Sequence, residues 1–150
     1  MAISEIEILK PKFTPGNEYP FLEGISAGFS SPAEEYLENV LDLTEAVVKN
    51  PNSTFFGRVR GNSMIGAMIA EGDILVIDKS VRPIDGDPVV CSIDGAFLLK
   101  FLKIEKSEGW LIPANPEYKP IRVTKENDFQ IWGTVMWITH RARNVRAYRL

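Results

Sequence analysis

From residue 54 onward this chain of 150 residues reads as mainly β: an antiparallel, β-rich domain behind an extended N-terminal arm and one or two short helices. Three observations predict that class. Strand-sized runs rich in Val, Ile and Phe follow one another closely, Gly-Asp and Asp-Gly pairs separate them, and no helix-period pattern falls between them. The runs are Thr54–Arg60, Ile74–Asp78, Pro88–Ile93, Ala96–Ile104, Trp110–Pro113, Ile121–Val123 and Gln130–His140. The turns between them carry Glu71-Gly72-Asp73, Asp85-Gly86-Asp87, Asp94-Gly95 and Glu108-Gly109. Asp94-Gly95, between two apolar runs, is a strong hairpin signal.

Ahead of the strands the text is irregular, then helical. Residues 1–30 hold one short apolar stretch, Ile6 to Leu9, followed by Pro11, Pro15, Gly16, Pro20, Gly24 and Gly28. Punctuation so dense sustains neither a helix nor a long strand, so these residues form a flexible arm whose order depends on docking. Ser31-Pro32-Ala33-Glu34 then predicts a helix start, with Ser31 as N-cap, Pro32 in the first turn and Glu34 completing a capping box. This helix runs to Val40. A second short helix over Thr44 to Lys49 stops before Asn50-Pro51, because a residue preceding proline is driven out of helical geometry. The expected division is an arm over 1–30, helical segments over 31–53 and the β-rich domain over 54–150.

Composition narrows the function. A 45% apolar share supports a packed core, and no apolar run is long enough to span a membrane. Met1-Ala2-Ile3-Ser4-Glu5-Ile6-Glu7 lacks the features of a secretory signal. A net charge of −3 argues against wrapping nucleic acid by bulk electrostatics. The single cysteine, Cys91, permits no internal disulfide, which fits a reducing cytoplasm. It lies in a strand-like run and reads as core packing; its only histidine partner would be His140.

Chemistry concentrates at Ser63 and Lys100. Ser63 occupies the turn-like stretch Gly61-Asn62-Ser63-Met64, and Lys100 lies inside Phe97-Leu98-Leu99-Lys100-Phe101-Leu102. On a strand, Leu98, Lys100 and Leu102 share one face while Phe97, Leu99 and Phe101 share the other. Both faces are apolar, so no register shift gives Lys100 polar neighbours. Desolvation disfavours a charged lysine, and a neutral one can take the proton of a serine hydroxyl. Helical backbone after Ser63 would leave nearby N–H groups free as oxyanion donors. Met64, Met68 and Ile69 read as core. On these residues alone an alternative stands, in which Lys100 snorkels from a strand edge and Ser63 is an ordinary turn serine.

The order Gly61-Asn62-Ser63-Met64, Gly72-Asp73, Asp78, Gly86-Asp87, Lys100 resembles the LexA/UmuD family of self-cleaving Ser–Lys peptidases. From about residue 21 the resemblance covers the chain, including Ala27-Gly28-Phe29-Ser30-Ser31-Pro32-Ala33, Leu41-Asp42-Leu43 and the string from Leu111 to Tyr118. Only 27 residues precede the expected scissile bond, too few for the helix-turn-helix headpiece of the repressors, so the likeness is to the UmuD branch. The resemblance implies Ser63 as nucleophile, Lys100 as neutral general base, backbone N–H groups of Asn62 and Ser63 as oxyanion donors, and Ala27–Gly28 as the bond cut. Ile25 and Phe29 would seat the arm. Asn62 departs from the acidic or apolar residue common at that position, which contributes mainly backbone.

What the resemblance implies for function is a cytoplasmic SOS-response protein that needs no cofactor or metal. It would form a homodimer and cleave itself when bound to a RecA–single-stranded-DNA filament. The processed form would serve a UmuC-like Y-family DNA polymerase in translesion synthesis. A non-cleaving interaction module, and a repressor relative without its DNA-binding domain, are the alternatives. A signal peptidase would need a membrane anchor. The basic stretch His140 to Arg149 reads as a solvated end or a contact for an acidic partner.

Overall fold

The computed structural model describes residues 4–13, 18–20 and 40–142. The strands are β1 (Ile6–Leu9), β2 (Glu18–Pro20), β3 (Val40–Asp42), β4 (Thr54–Val59), β5 (Ile74–Asp78), β6 (Pro88–Ile93), β7 (Ala96–Glu105), β8 (Glu108–Ile112), β9 (Ile121–Val123) and β10 (Phe129–Thr139). Among the described residues one α-helix, α1 (Leu43–Val47), is capped by the Asp42 carboxylate, which accepts from the Glu45 N–H at 3.1 Å. The helix expected from Ser31 lies outside the described residues as far as residue 39, and its expected end, Val40, instead begins β3; the basic tail beyond residue 142 also lies outside them. None of the described helices is long and apolar enough to cross a membrane.

Antiparallel pairing orders one eight-stranded sheet as β1-β4-β5-β10-β6-β7-β8-β9, with β2 and β3 pairing separately. The seven strand runs expected after residue 54 are all present, within two residues at each end. Turn chemistry explains that agreement. Asp94 and Gly95 both adopt positive φ, 49° and 86°, which is the backbone a two-residue hairpin between β6 and β7 requires.

The sheet curls until its first strand returns to β7. Glu5 N–H donates to the Phe97 carbonyl at 2.7 Å, Phe97 N–H donates to Ser4 Oγ at 3.2 Å, and Arg60 N–H donates to the Glu5 carbonyl at 2.7 Å. The contact covers the first half of β7, which β8 leaves unpaired, while β9 stays an edge strand. Two irregularities in β10, between Ile131 and Gly133 and between Val135 and Trp137, help the bend. Gly133 is needed there, because a Cβ would fall 2.6 Å from Ile77 Cγ2.

Two apolar clusters fill the curl. Ile6, Met64, Leu75, Ile77, Leu99 and Val135 belong to the larger one, and Val89, Cys91, Leu102 and Leu111 form the smaller. The face alternation read for β7 holds: Leu99 enters one cluster and Leu102 the other. Lys100, opposite Val89 in the ladder, is therefore on the face of the smaller cluster. Met68 corrects the expectation of a core residue. It caps a 3₁₀ turn in left-handed backbone (φ 62°) and is exposed, whereas Met64 and Ile69 are buried.

Candidate active site

Ser63 lies in the turn between β4 and the 3₁₀ turn Ile65–Ala67, and Lys100 lies in the middle of β7. Both are buried, at 4% and 3% exposure, which is unusual for a polar turn residue and a lysine. Two clasps hold the serine turn against the loop after β8. Ala114 N–H donates to the Ser63 carbonyl at 2.9 Å, and Gly66 N–H donates to the Ala114 carbonyl at 2.7 Å. Gly66 permits this approach, since a Cβ there would collide with the Ala114 carbonyl.

Two side chains of the same loop finish the fixation. Asn115, itself buried, donates through Nδ2 to the Asn62 carbonyl at 2.9 Å and accepts at Oδ1 from Glu117 N–H, also at 2.9 Å. Tyr118 donates its hydroxyl to Asn62 Oδ1 at 3.0 Å, while its ring centroid lies 5.3 Å from Lys100 Nζ. Tyr118 thus bridges the serine turn and the lysine strand.

From Ile65 to Ile69 the backbone N–H groups are engaged. Those of Asn62, Ser63 and Met64 have no acceptor among the described residues. Free N–H groups flanking a buried hydroxyl are the arrangement an oxyanion site needs. An open cleft of about 430 Å³ reaches the start of the serine turn at Gly61 and is lined by Ser4, Glu5, Leu98, Lys100 and Tyr118, among others.

Lys100 has a partner that its own strand did not reveal. Glu5 places both carboxylate oxygens on Nζ, at 2.8 and 3.0 Å, from the N-terminal end of the sheet. Register arguments treat only neighbours on the sheet face, and a residue 95 positions away escapes them. Cys91 is buried packing, as expected. Burial pushes its thiol up to about 12, with the nearby Lys100 charge opposing and Glu5 adding.

The Gly-Asp punctuation also acquires physical roles. Asp73 accepts from Ala70 N–H at 2.9 Å and pairs with His140 Nδ1 at 2.8 Å, so the lone histidine is tied to the turn and not to Cys91. Asp78 gathers Asn50 Nδ2, Ser53 Oγ and both donors of Ser80 at 2.7 to 2.8 Å. Burial raises its carboxyl pKa, but donation from Asn50, Ser80 and Ser53 outweighs that and holds it below the ordinary 3.8. The expected cleavage residues Ala27 and Gly28, and the arm anchors Ile25 and Phe29, lie outside the described residues.

Comparison with known proteins agrees with this arrangement. Residues 20–136 match the Peptidase S24-like family. Protein SamA of Salmonella typhimurium is 38% identical over 124 residues, covering 83% of this chain and 86% of that protein. Protein MucA of Escherichia coli is 38% identical over 116 residues, 77% of this chain and 79% of the relative. The LexA repressor of Alcanivorax borkumensis is 33% identical over 118 residues, 79% of this chain but 57% of the repressor. A mainly antiparallel sheet, a buried serine turn and matches of this extent lead to one assignment: the chain belongs to the Peptidase S24-like family of self-cleaving serine peptidases, as a UmuD-like member of the LexA/UmuD group.

Proposed function

We propose that Ser63 and Lys100 form a Ser–Lys dyad that cuts the chain's own Ala27–Gly28 bond as a switch in SOS mutagenesis. The observation that carries this reading is the burial of both residues, with Tyr118 bonded to Asn62 in the serine turn and its ring beside Lys100 at a cleft that Lys100 lines. Paired strands β2 and β3 add support. Pro20 lies opposite Val40, which sets the described residues on either side of 21–39 next to each other.

In the proposed reaction neutral Lys100 Nζ takes the proton of Ser63 Oγ as the oxygen attacks the Ala27 carbonyl carbon. The N–H groups of Asn62 and Ser63 stabilise the oxyanion. Collapse breaks the Ala27–Gly28 bond, and Lys100 returns the proton to the departing Gly28 amine. Water, deprotonated by Lys100, then hydrolyses the acyl-enzyme at Ala27. Small residues at this bond let the backbone approach the serine closely.

A RecA–single-stranded-DNA filament would accelerate cleavage by favouring the docked arm, since it adds no catalytic group. The processed chain, 28–150, would act as a homodimer with a UmuC-like Y-family polymerase in translesion synthesis. The test is incubation of the purified chain with and without activated filament. The reading expects filament-stimulated conversion to two fragments, lost in Ser63→Ala and in Lys100→Ala. Cleavage that persists in either variant would remove that residue from the mechanism.

A further inference from the structure

Closing the sheet with the N-terminal strand also delivers a carboxylate to the lysine. Glu5 is pinned through its backbone on both sides, by Phe97 of β7 and by Arg60 at the end of β4. Its neighbour Ile6 is buried in the larger cluster at 2% exposure, which fixes where the Glu5 side chain can reach. From there both carboxylate oxygens meet Lys100 Nζ, with 3% of the lysine side chain and 14% of the glutamate side chain exposed.

The other groups around Lys100 do not compete for this role. Tyr118 offers its ring face, and Cys91 on β6 is a thiol kept neutral by burial. Arg60, on the cleft rim, is committed to Glu7 at 2.9 Å. Among the described residues, Glu5 is the one anion within ion-pair distance of Lys100. A carboxylate at that distance, shielded from water, favours the ammonium form. An ammonium has three donors and no lone pair, so it cannot accept the Ser63 proton.

We propose that Glu5 is a latch on the dyad: while residues 4–9 lie in the sheet, its carboxylate holds Lys100 as an ammonium and keeps self-cleavage off. Release of Glu5 lets Nζ surrender its proton to solvent water, which leaves the neutral amine that the reaction needs. The latch rests on the Ser63–Lys100 reading above. It also lies on the N-terminal side of Ala27–Gly28, so the cut severs the latch from the domain it restrains. Glu5 is a positioning residue, acting through the proton on Lys100.

The test begins with the chain kept intact by Ser63→Ala. Lys100 Nζ is followed by nitrogen-detected NMR across alkaline pH, its signal assigned by loss in Lys100→Ala. Adding Glu5→Gln, an isosteric change, should move loss of the Lys100 proton to lower pH while other lysines stay unmoved. An unmoved Lys100 overturns the latch. With Ser63 restored, Glu5→Gln should cut itself at neutral pH roughly tenfold or more faster than the unaltered chain, reaching its plateau at lower pH. An unaltered chain that cleaves while Glu5→Gln cleaves no faster also overturns it. A shifted Lys100 in chains that remain uncut at every pH would keep the hold on the proton and sink the peptidase reading instead. If circular dichroism shows that Glu5→Gln has lost its fold, Glu5→Asp serves: the charge retracts by one methylene and a smaller shift in the same direction is expected. No shift there counts against the latch.

Discussion

At the scale of single residues, the buried polar groups either hold turns and strands together or belong to the candidate site. Ser63, Lys100, Asp73, Asp78, Asn115, Thr54 and Thr134 are the buried polar residues, and no buried side-chain nitrogen or oxygen among the described residues lacks a hydrogen-bond partner. The unusual setting of Lys100 was legible because its neighbours on the same strand face are Leu98 and Leu102, and the turn at Ser63 because Gly61-Asn62 precedes it. Glu5, Asn115 and Tyr118 were not legible as site residues. Nothing in their local sequence requires contact with residues 53 to 95 positions away; tertiary closure supplies it. Asp78 yields a prediction at this scale. Its folded carboxyl titrates below its ordinary 3.8, so the stability it adds is complete above that pH and is lost as pH falls through the lower folded value. Melting temperature followed from pH 6 to pH 2 should fall more steeply below about pH 4 for the unaltered chain than for Asp78→Asn, which has no carboxylate to protonate. Parallel acid limbs would contradict this.

Among the elements, strand boundaries were readable because turns of the right chemistry bracket them. Positive φ at Gly72, Gly86, Asp94 and Gly95 falls where the turn signals were read, whereas the turn expected at Glu108-Gly109 forms at Lys106 and Ser107 (φ 49° and 66°) and leaves Glu108 and Gly109 in β8. The first strand is the instructive exception. Ile6 to Leu9 looked like part of an arm, since four residues among prolines make no strand alone. Yet the edge of β4 offers a ladder and the core offers a socket for Ile6, so β1 forms from pairing that the local text cannot announce. Ile6 should therefore behave as a core residue. Ile6→Ala should destabilise the fold by about 2 to 5 kcal/mol in urea denaturation. Lys12→Ala, beyond that strand, should change stability by no more than about 0.5 kcal/mol. Equal, small effects would mean that β1 contributes little to the closed sheet.

For the molecule as a whole, the closed sheet leaves an apolar surface on its longest strand. Met136, Trp137 and Ile138 on β10 are 45%, 50% and 40% exposed, next to the irregularity at Val135/Trp137. Consecutive large apolar residues in water favour association, and this run is the surface we assign to the proposed homodimer. Trp137→Asp should shift the mass measured by light scattering from dimer to monomer without changing the circular dichroism spectrum. An unchanged dimer would place the interface elsewhere.

Self-directed peptide cleavage is the claim on which the other functional assignments depend. Its most direct test is the intact mass of the purified chain after prolonged incubation at alkaline pH, with no other protein present. The account predicts two species that sum to the starting chain plus one water, divided after Ala27, with Ser63→Ala and Lys100→Ala remaining whole. A full-length mass unchanged at every pH, or a division at a different bond, would contradict it.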